Sequence, residues 1–80
     1  MILKVLGSGC KKCGMLEEHA REAVARLGID AEVRHVTDMA EIMGYGVMST
    51  PALVIDEQLK AAGRVLTVDE IAALLSRAGA

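Results

Sequence analysis

The chain has 80 residues, of which 52% are hydrophobic and 25% charged, with a net charge of −2. That describes one small domain, residues 1–80, with a core that buries roughly 60% of the unfolded surface, and it excludes a disordered tail. One Tyr, no Phe and no Trp, together with the negative charge, exclude the basic face and aromatic stacking platforms of a nucleic-acid binder.

The first element is a short apolar run, Ile2 to Leu6, which reads as a strand entering the loop Gly7-Ser8-Gly9. From Cys13 to Leu27 the apolar residues Leu16, Ala20, Ala23, Val24 and Leu27 recur at helical spacing, and Gly28 follows as a left-handed cap. On the polar face, Glu17 with Arg21 and Glu22 with Arg26 are favourable pairs four residues apart. Ala31 to Val36 reads as a strand with one half-polar face, near a sheet edge. A short helix over Met39 to Gly44, capped by Thr37 or Asp38, is expected to carry Met39, Ile42 and Met43 inward. Ala52 to Ile55, after Pro51, is the continuous apolar run of a strand covered on both faces. Asp56-Glu57 then turns the chain into an antiparallel strand over Gln58 to Ala62, without the glycine such turns favour. Thr67 and Glu70 form a capping box, and Leu66 with Ile71 forms its hydrophobic staple. The buried stripe of the last helix is Ile71, Leu74, Leu75 and Ala78. The order β-α-β-α-β-β-α predicts an α/β domain, a four-stranded mixed sheet with helices on both faces.

No apolar run approaches the ~20 residues of a membrane span. Met1 to Leu6, broken by Lys4, is too short for the apolar region of a signal peptide. A cytoplasmic protein with no membrane attachment is expected. Two cysteines in a reducing compartment do not read as a structural staple. Cys10 and Cys13 enclose only Lys11 and Lys12, and closing so short a ring removes little chain entropy. Their placement is chemical. A thiolate at a helix start is stabilised by unpaired N–H groups and by the helix dipole, and Lys11 and Lys12 add positive charge that tunes its pKa. Cys10 is then the attacking nucleophile and Cys13, one turn further and more buried, the resolving thiol. A C-x-x-C is also a zinc or copper motif, so metal binding stays open at this point.

The second constellation is Tyr45-Gly46-Val47-Met48-Ser49-Thr50-Pro51, which holds the only proline. A strand, C-x-x-C, helix, strand and helix, followed by Y-G-V-x-S-T-P opening a hairpin, resemble the thioredoxin superfamily over essentially the whole chain. The compact version is similar to the small glutaredoxin-like thioredoxins of bacteria and archaea. The resemblance implies a thioredoxin-like fold and a cis Thr50–Pro51 bond that docks substrate. It places Thr50 and Pro51 at the substrate-binding surface; Tyr45 and Gly9 are further candidates for that surface, and Tyr45 reads equally as a cover for the C-x-x-C or as a ring buried near the loop. It also implies disulfide-containing protein substrates, a thioredoxin-reductase-like flavoenzyme as electron donor, and no bound cofactor; no metal and a monomer are expected, although an exposed strand edge would also allow two copies to pair. Three features depart from familiar members. Gly9 stands where they carry an aromatic residue, Lys11-Lys12 replaces their Gly-Pro, and the first strand has Lys4 but no buried carboxylate. Gly63 fits the family's glycine after the fourth strand, but Gly63-Arg64-Val65 does not reproduce a glutathione-binding turn.

The resemblance therefore implies a thiol–disulfide oxidoreductase that reduces protein disulfides. A copper or heavy-metal carrier shares the G-x-x-C-x-x-C of Gly7 to Cys13, but such domains end on a strand, and this chain ends on a capped helix. A domain that binds partners through the Thr50-Pro51 groove under redox control, without turnover, is the third reading.

Overall fold

The structure, a computed structural model, describes residues 1–7 and 11–77. The elements run β1 (Ile2–Leu6), α1 (Lys11–Leu27), β2 (Glu32–Val36), α2 (Met39–Gly44), β3 (Ala52–Ile55), β4 (Gln58–Ala62) and α3 (Val68–Arg77). One sheet takes the order β2-β1-β3-β4. β1 pairs parallel to β2 and antiparallel to β3, and β4 returns antiparallel to β3. The sheet is therefore mixed, with β2 and β4 as its edges.

Alternation along the strands divides the core in two. Leu3 and Val5 of β1 lie opposite Ile55 and Leu53 of β3. They pack under α1 and α3 with Leu16, Ala20, Ala23, Leu66, Ile71 and Leu75. On the other face, Leu6, Ala52 and Val54 pack with Ile42 of α2 and with Val47. β3 is buried along its whole length, as its unbroken apolar run required.

Local chemistry sets the boundaries. Glu70 N donates to Thr67 Oγ1 at 3.1 Å and Thr67 N donates to Glu70 Oε1 at 3.0 Å, so the capping box closes in both directions. Leu66 and Ile71, the two halves of the staple, are both buried. Asp38 caps α2 by accepting from Ala40 N at 2.8 Å. Gly28 has φ +64 and donates back to the carbonyls of Val24 and Ala25, which ends α1.

The structure corrects one part of this reading. Ile42 alone of its helix is buried, while Met39 and Met43 are 54% and 69% exposed. A helix of six residues makes under two turns, so one position points at the sheet. Met39 and Met43, four apart, share a flank turned toward solvent. In α3, Leu74 is half-buried beside the buried Ile71 and Leu75, and Ala78 lies outside the described residues.

The hairpin turn forms without glycine. Asp56 and Glu57 have φ +47 and +68, a conformation that costs an ordinary residue roughly 1–2 kcal/mol. Tertiary bonds hold it. Asp56 N donates to the carbonyl of Ile2 and Asp56 Oδ1 accepts from Ile2 N, both at 2.9 Å. Glu57 Oε1 takes a bond from Lys4 Nζ at 2.7 Å.

Candidate functional site

Cys13 is the third residue of α1. It belongs to the stripe Cys13, Leu16, Ala20 and Ala23, so the register that seats the helix on the sheet also buries the sulfur. Cys13 has no exposed surface and is disulfide-bonded. Cys10 and Gly9 lie outside the described residues. Lys11 and Lys12 are exposed in the first turn of α1, where the helix dipole gains nothing from a cation.

The sulfur rests against backbone. A Cβ added to Gly7 would stand 2.2 Å from Cys13 Sγ and 3.6 Å from Cβ of Thr50. Three places in the sequence therefore converge: the end of β1, the first turn of α1, and the residue before Pro51. Only glycine lets β1 come this close to the sulfur. Gly7 N donates to the carbonyl of Val36 at 3.0 Å, which extends the β1–β2 ladder to the edge of the site.

The Thr50–Pro51 peptide is cis, Pro51 is buried and Thr50 is exposed. Gly63 N donates to the Pro51 carbonyl at 2.8 Å. A Cβ on Gly63 would lie 3.1 Å from Cβ of Ser49, so the glycine after β4 also fits against this loop. Met48, two residues before Thr50, is 96% exposed.

Tyr45 is held from behind. Its ring packs against the Leu6, Ile42, Val47, Ala52 and Val54 cluster. Its hydroxyl accepts from Lys4 Nζ at 2.8 Å and donates to Glu57 Oε2 at 2.9 Å. The ammonium of Lys4 also sits 5.5 Å from the ring centroid. The bonds to Glu57 and Tyr45 raise the pKa of Lys4, and those from Lys4 and Tyr45 lower that of Glu57. Lys4, Tyr45 and Glu57 thus tie the middle of β1, the start of the 45–51 loop and the hairpin turn into one strut.

Both histidines are engaged with protein groups. His19 Nδ1 donates to the carbonyl of Leu66 at 2.8 Å, fastening α1 to the approach to α3. His35 Nε2 lies 2.8 Å from the Gly7 carbonyl oxygen, and its Nδ1 lies 3.0 Å from Glu17 Oε1. Among the described residues, no group of three or more His, Cys, Asp or Glu converges on a metal position.

Sequence reasoning read Gly7 as loop and as the first glycine of a metal-carrier motif, and His35 as an edge-strand residue or, with His19 and the two cysteines, a zinc ligand; neither reading placed them against Cys13 or α1. The available signals were a glycine three residues before the first cysteine, and the strand alternation that turns His35, like Val33, toward α1. The Lys4–Tyr45–Glu57 strut had no local signal, because its members are 41 and 12 residues apart.

With this geometry in place, the comparisons are specific. A family model described as "Thioredoxin domain" matches residues 1–76. A protein named "Thioredoxin" from Methanothermobacter thermautotrophicus is 45% identical over 76 residues, covering 95% of this chain and 99% of its relative. Another of that name, from Methanocaldococcus jannaschii, is 38% identical over 71 residues, covering 89% of this chain and 81% of its relative. The chain belongs to the thioredoxin family. The sheet order, the two helical layers and the cysteine at the start of α1 are what that membership looks like in this molecule. Thiol–disulfide oxidoreduction is the general activity that the membership carries. Among the described residues, no helix is long and apolar enough to cross a membrane.

Proposed function

We propose that the chain reduces disulfides of other proteins in the cytoplasm through Cys10 and Cys13. Cys10, as thiolate, attacks one sulfur of the substrate disulfide and expels the other as a thiolate, leaving a mixed disulfide. Cys13 then attacks the Cys10 sulfur and releases the second substrate thiolate. Two electrons pass to the substrate, its two thiolates take up protons, and the chain keeps a Cys10–Cys13 disulfide. A thioredoxin-reductase-like flavoenzyme returns the electrons, and the chain itself holds no cofactor and acts as a monomer.

The observation that carries this reading is the junction of Gly7, Cys13 and Thr50. A buried, disulfide-bonded cysteine lies beside Thr50, the exposed residue that precedes the cis Pro51. An extended substrate segment paired with Thr50 and Pro51 would bring its disulfide to Cys10. Lys11 and Lys12 support the same chemistry. Cations in a first helical turn are unfavourable for the helix alone but favourable for an anionic sulfur beside it.

Single cysteine variants test the division of labour. Cys10→Ser is expected to abolish attack on a protein disulfide. Cys13→Ser is expected to attack normally and accumulate a mixed disulfide, visible as a mass adduct that dithiothreitol removes. Equal trapping by both variants, or by neither, would remove the assigned roles.

A further inference from the structure

Most cations of this chain are neutralised by a neighbouring carboxylate. Of its nine lysines and arginines, Lys4, Arg21, Arg26, Arg34 and Arg64 each pair with a Glu or Asp. Among the described residues the other four have no carboxylate partner. Lys11 and Lys12 stand in the first turn of α1, beside the cysteines. Lys60 and Arg77 come from β4 and the last turn of α3, and they line the same two hollows. Lys60 Nζ donates to the neutral amide of Gln58 at 3.1 Å, which leaves its charge uncompensated.

The hollows, of about 410 and 490 Å³, join into one groove between β4 and α3, because Lys60, Leu74 and Arg77 line both. Ala61, Ala73 and Leu74 give it an apolar floor, with Leu74 half-buried and Ala73 exposed. The acidic groups that reach the groove are already engaged. Asp56 Oδ1 accepts from Ile2 N, and Glu70 pairs with Arg64 and accepts from Thr67 N. The free charge of the groove is therefore positive, in a chain whose net charge is −2. Each cation has a local reason to be there. Arg77 suits the negative end of a helix dipole, and a lysine on an edge strand discourages strand addition. Neither reason accounts for the uncovered apolar floor between the two.

The shape of β4 narrows what can sit there. Leu53 pairs with Ala61 and Val54 with Leu59, so Lys60 is the extra residue of a bulge. A bulged edge strand with a lysine on it resists an added strand, so an occupant is held through side chains in the groove. A second copy laid on the same groove about a two-fold axis would set Lys60 and Arg77, at the junction of the hollows, against their own counterparts. We propose that the groove between β4 and α3 is a docking site for an acidic segment of another protein, whose carboxylates pair with Lys60 and Arg77 while an apolar side chain between them covers Leu74. The Ala62 end of β4 lies opposite Ala52, the first residue after the cis Pro51. A partner held in the groove therefore has its neighbouring chain close to Thr50 and Pro51. That use of the groove rests on the oxidoreductase reading, and the binding itself does not.

The test is a titration of the full chain with a short peptide of glutamate and leucine, followed through the backbone amide signals by NMR. Shifts are expected at Lys60, Ala61, Leu74 and Arg77. The same peptide with glutamine in place of glutamate is expected to bind about tenfold more weakly. Lys60→Gln combined with Arg77→Gln is expected to lose about tenfold in affinity for the acidic peptide, the size of two exposed ion pairs together. A second measurement needs no variant: raising the salt concentration should weaken the acidic peptide and leave the glutamine peptide unchanged. An absence of shifts would overturn the proposal, as would shifts centred on Lys11 and Lys12. Equal binding of the two peptides, or full affinity in the double variant, would overturn it too. Groove signals that move with the concentration of the chain alone would give the site to a second copy and overturn it likewise. No readout here involves a disulfide. Failure to reduce protein disulfides would therefore strike the proposed function and leave this result standing, and a failed titration would do the reverse.

Discussion

The two faces of the sheet are built differently. Under α1 and α3 lies the larger apolar cluster, with ten buried residues from β1, α1, β3 and α3 and the Leu66 staple. Under α2 only five residues form the cluster, because six residues of helix present one apolar side chain. That face is completed by the Lys4–Tyr45–Glu57 strut, which replaces missing apolar cover with short polar bonds. The difference divides the labour. The large face fixes the fold and buries Cys13, while the small face fixes the loop that ends at Thr50 and Pro51.

Four substitutions bear on that comparison. The largest effect is expected from Leu53→Ala on the large face, a loss of about 2–5 kcal/mol by denaturant unfolding. Ile42→Ala, its counterpart under α2, should sit at the low end of that range because its surroundings can collapse. Equal losses would erase the contrast between the faces. Gly7→Ala comes next, with a Cβ forced to 2.2 Å from Cys13 Sγ unless something moves. We expect about 1–3 kcal/mol of lost stability and slower disulfide exchange, and an unchanged exchange rate would separate Gly7 from the site. Tyr45→Phe keeps the ring and removes the hydroxyl, at about 1 kcal/mol. It should raise the susceptibility of the 45–51 loop to proteolysis without altering hydrogen exchange in α1.

The smallest effect is expected at Glu70. Arg64 first, then the backbone N–H of Thr67, lower its pKa from the ordinary value of 4.5 to about 2. A depressed carboxylate contributes stability above its unfolded pKa, and that contribution is lost as pH falls through the folded value. Gln can still form the capping box, so Glu70→Gln isolates the charge. The variant should melt slightly below the wild type at pH 6, and the gap should close between about pH 4.5 and pH 2. A gap that persists at pH 2 would assign the loss to the cap geometry instead.

Much of the architecture was legible in the chain. Apolar spacing placed α1 and α3, Thr67 and Glu70 marked the start of the last helix to the residue, and the unbroken Ala52 to Ile55 run announced a central strand. The misreading of Met39 and Met43 came from length: two turns would give a periodic stripe, and this helix has fewer. At the site, Cys13 and the Thr50-Pro51 pair were legible because residue type and spacing carry their chemistry. Gly7, His35 and Glu17 were not, because a glycine, a histidine and a glutamate in separate elements have no common period.

The amino-acid sequence alone determined the elements, their order and the presence of a C-x-x-C at a helix start. These depend on local backbone preference and on the burial of apolar residues at fixed spacing, both of which can be read within a window of a dozen residues. Tertiary structure alone decided which groups meet around the sulfur. Gly7 reaches Cys13 because β1 runs in the sheet beneath α1. His35 reaches Gly7 because β2 lies parallel to β1 in a register that sets His35 beside Val5. Register is a property of the whole sheet, fixed when both faces are buried at once.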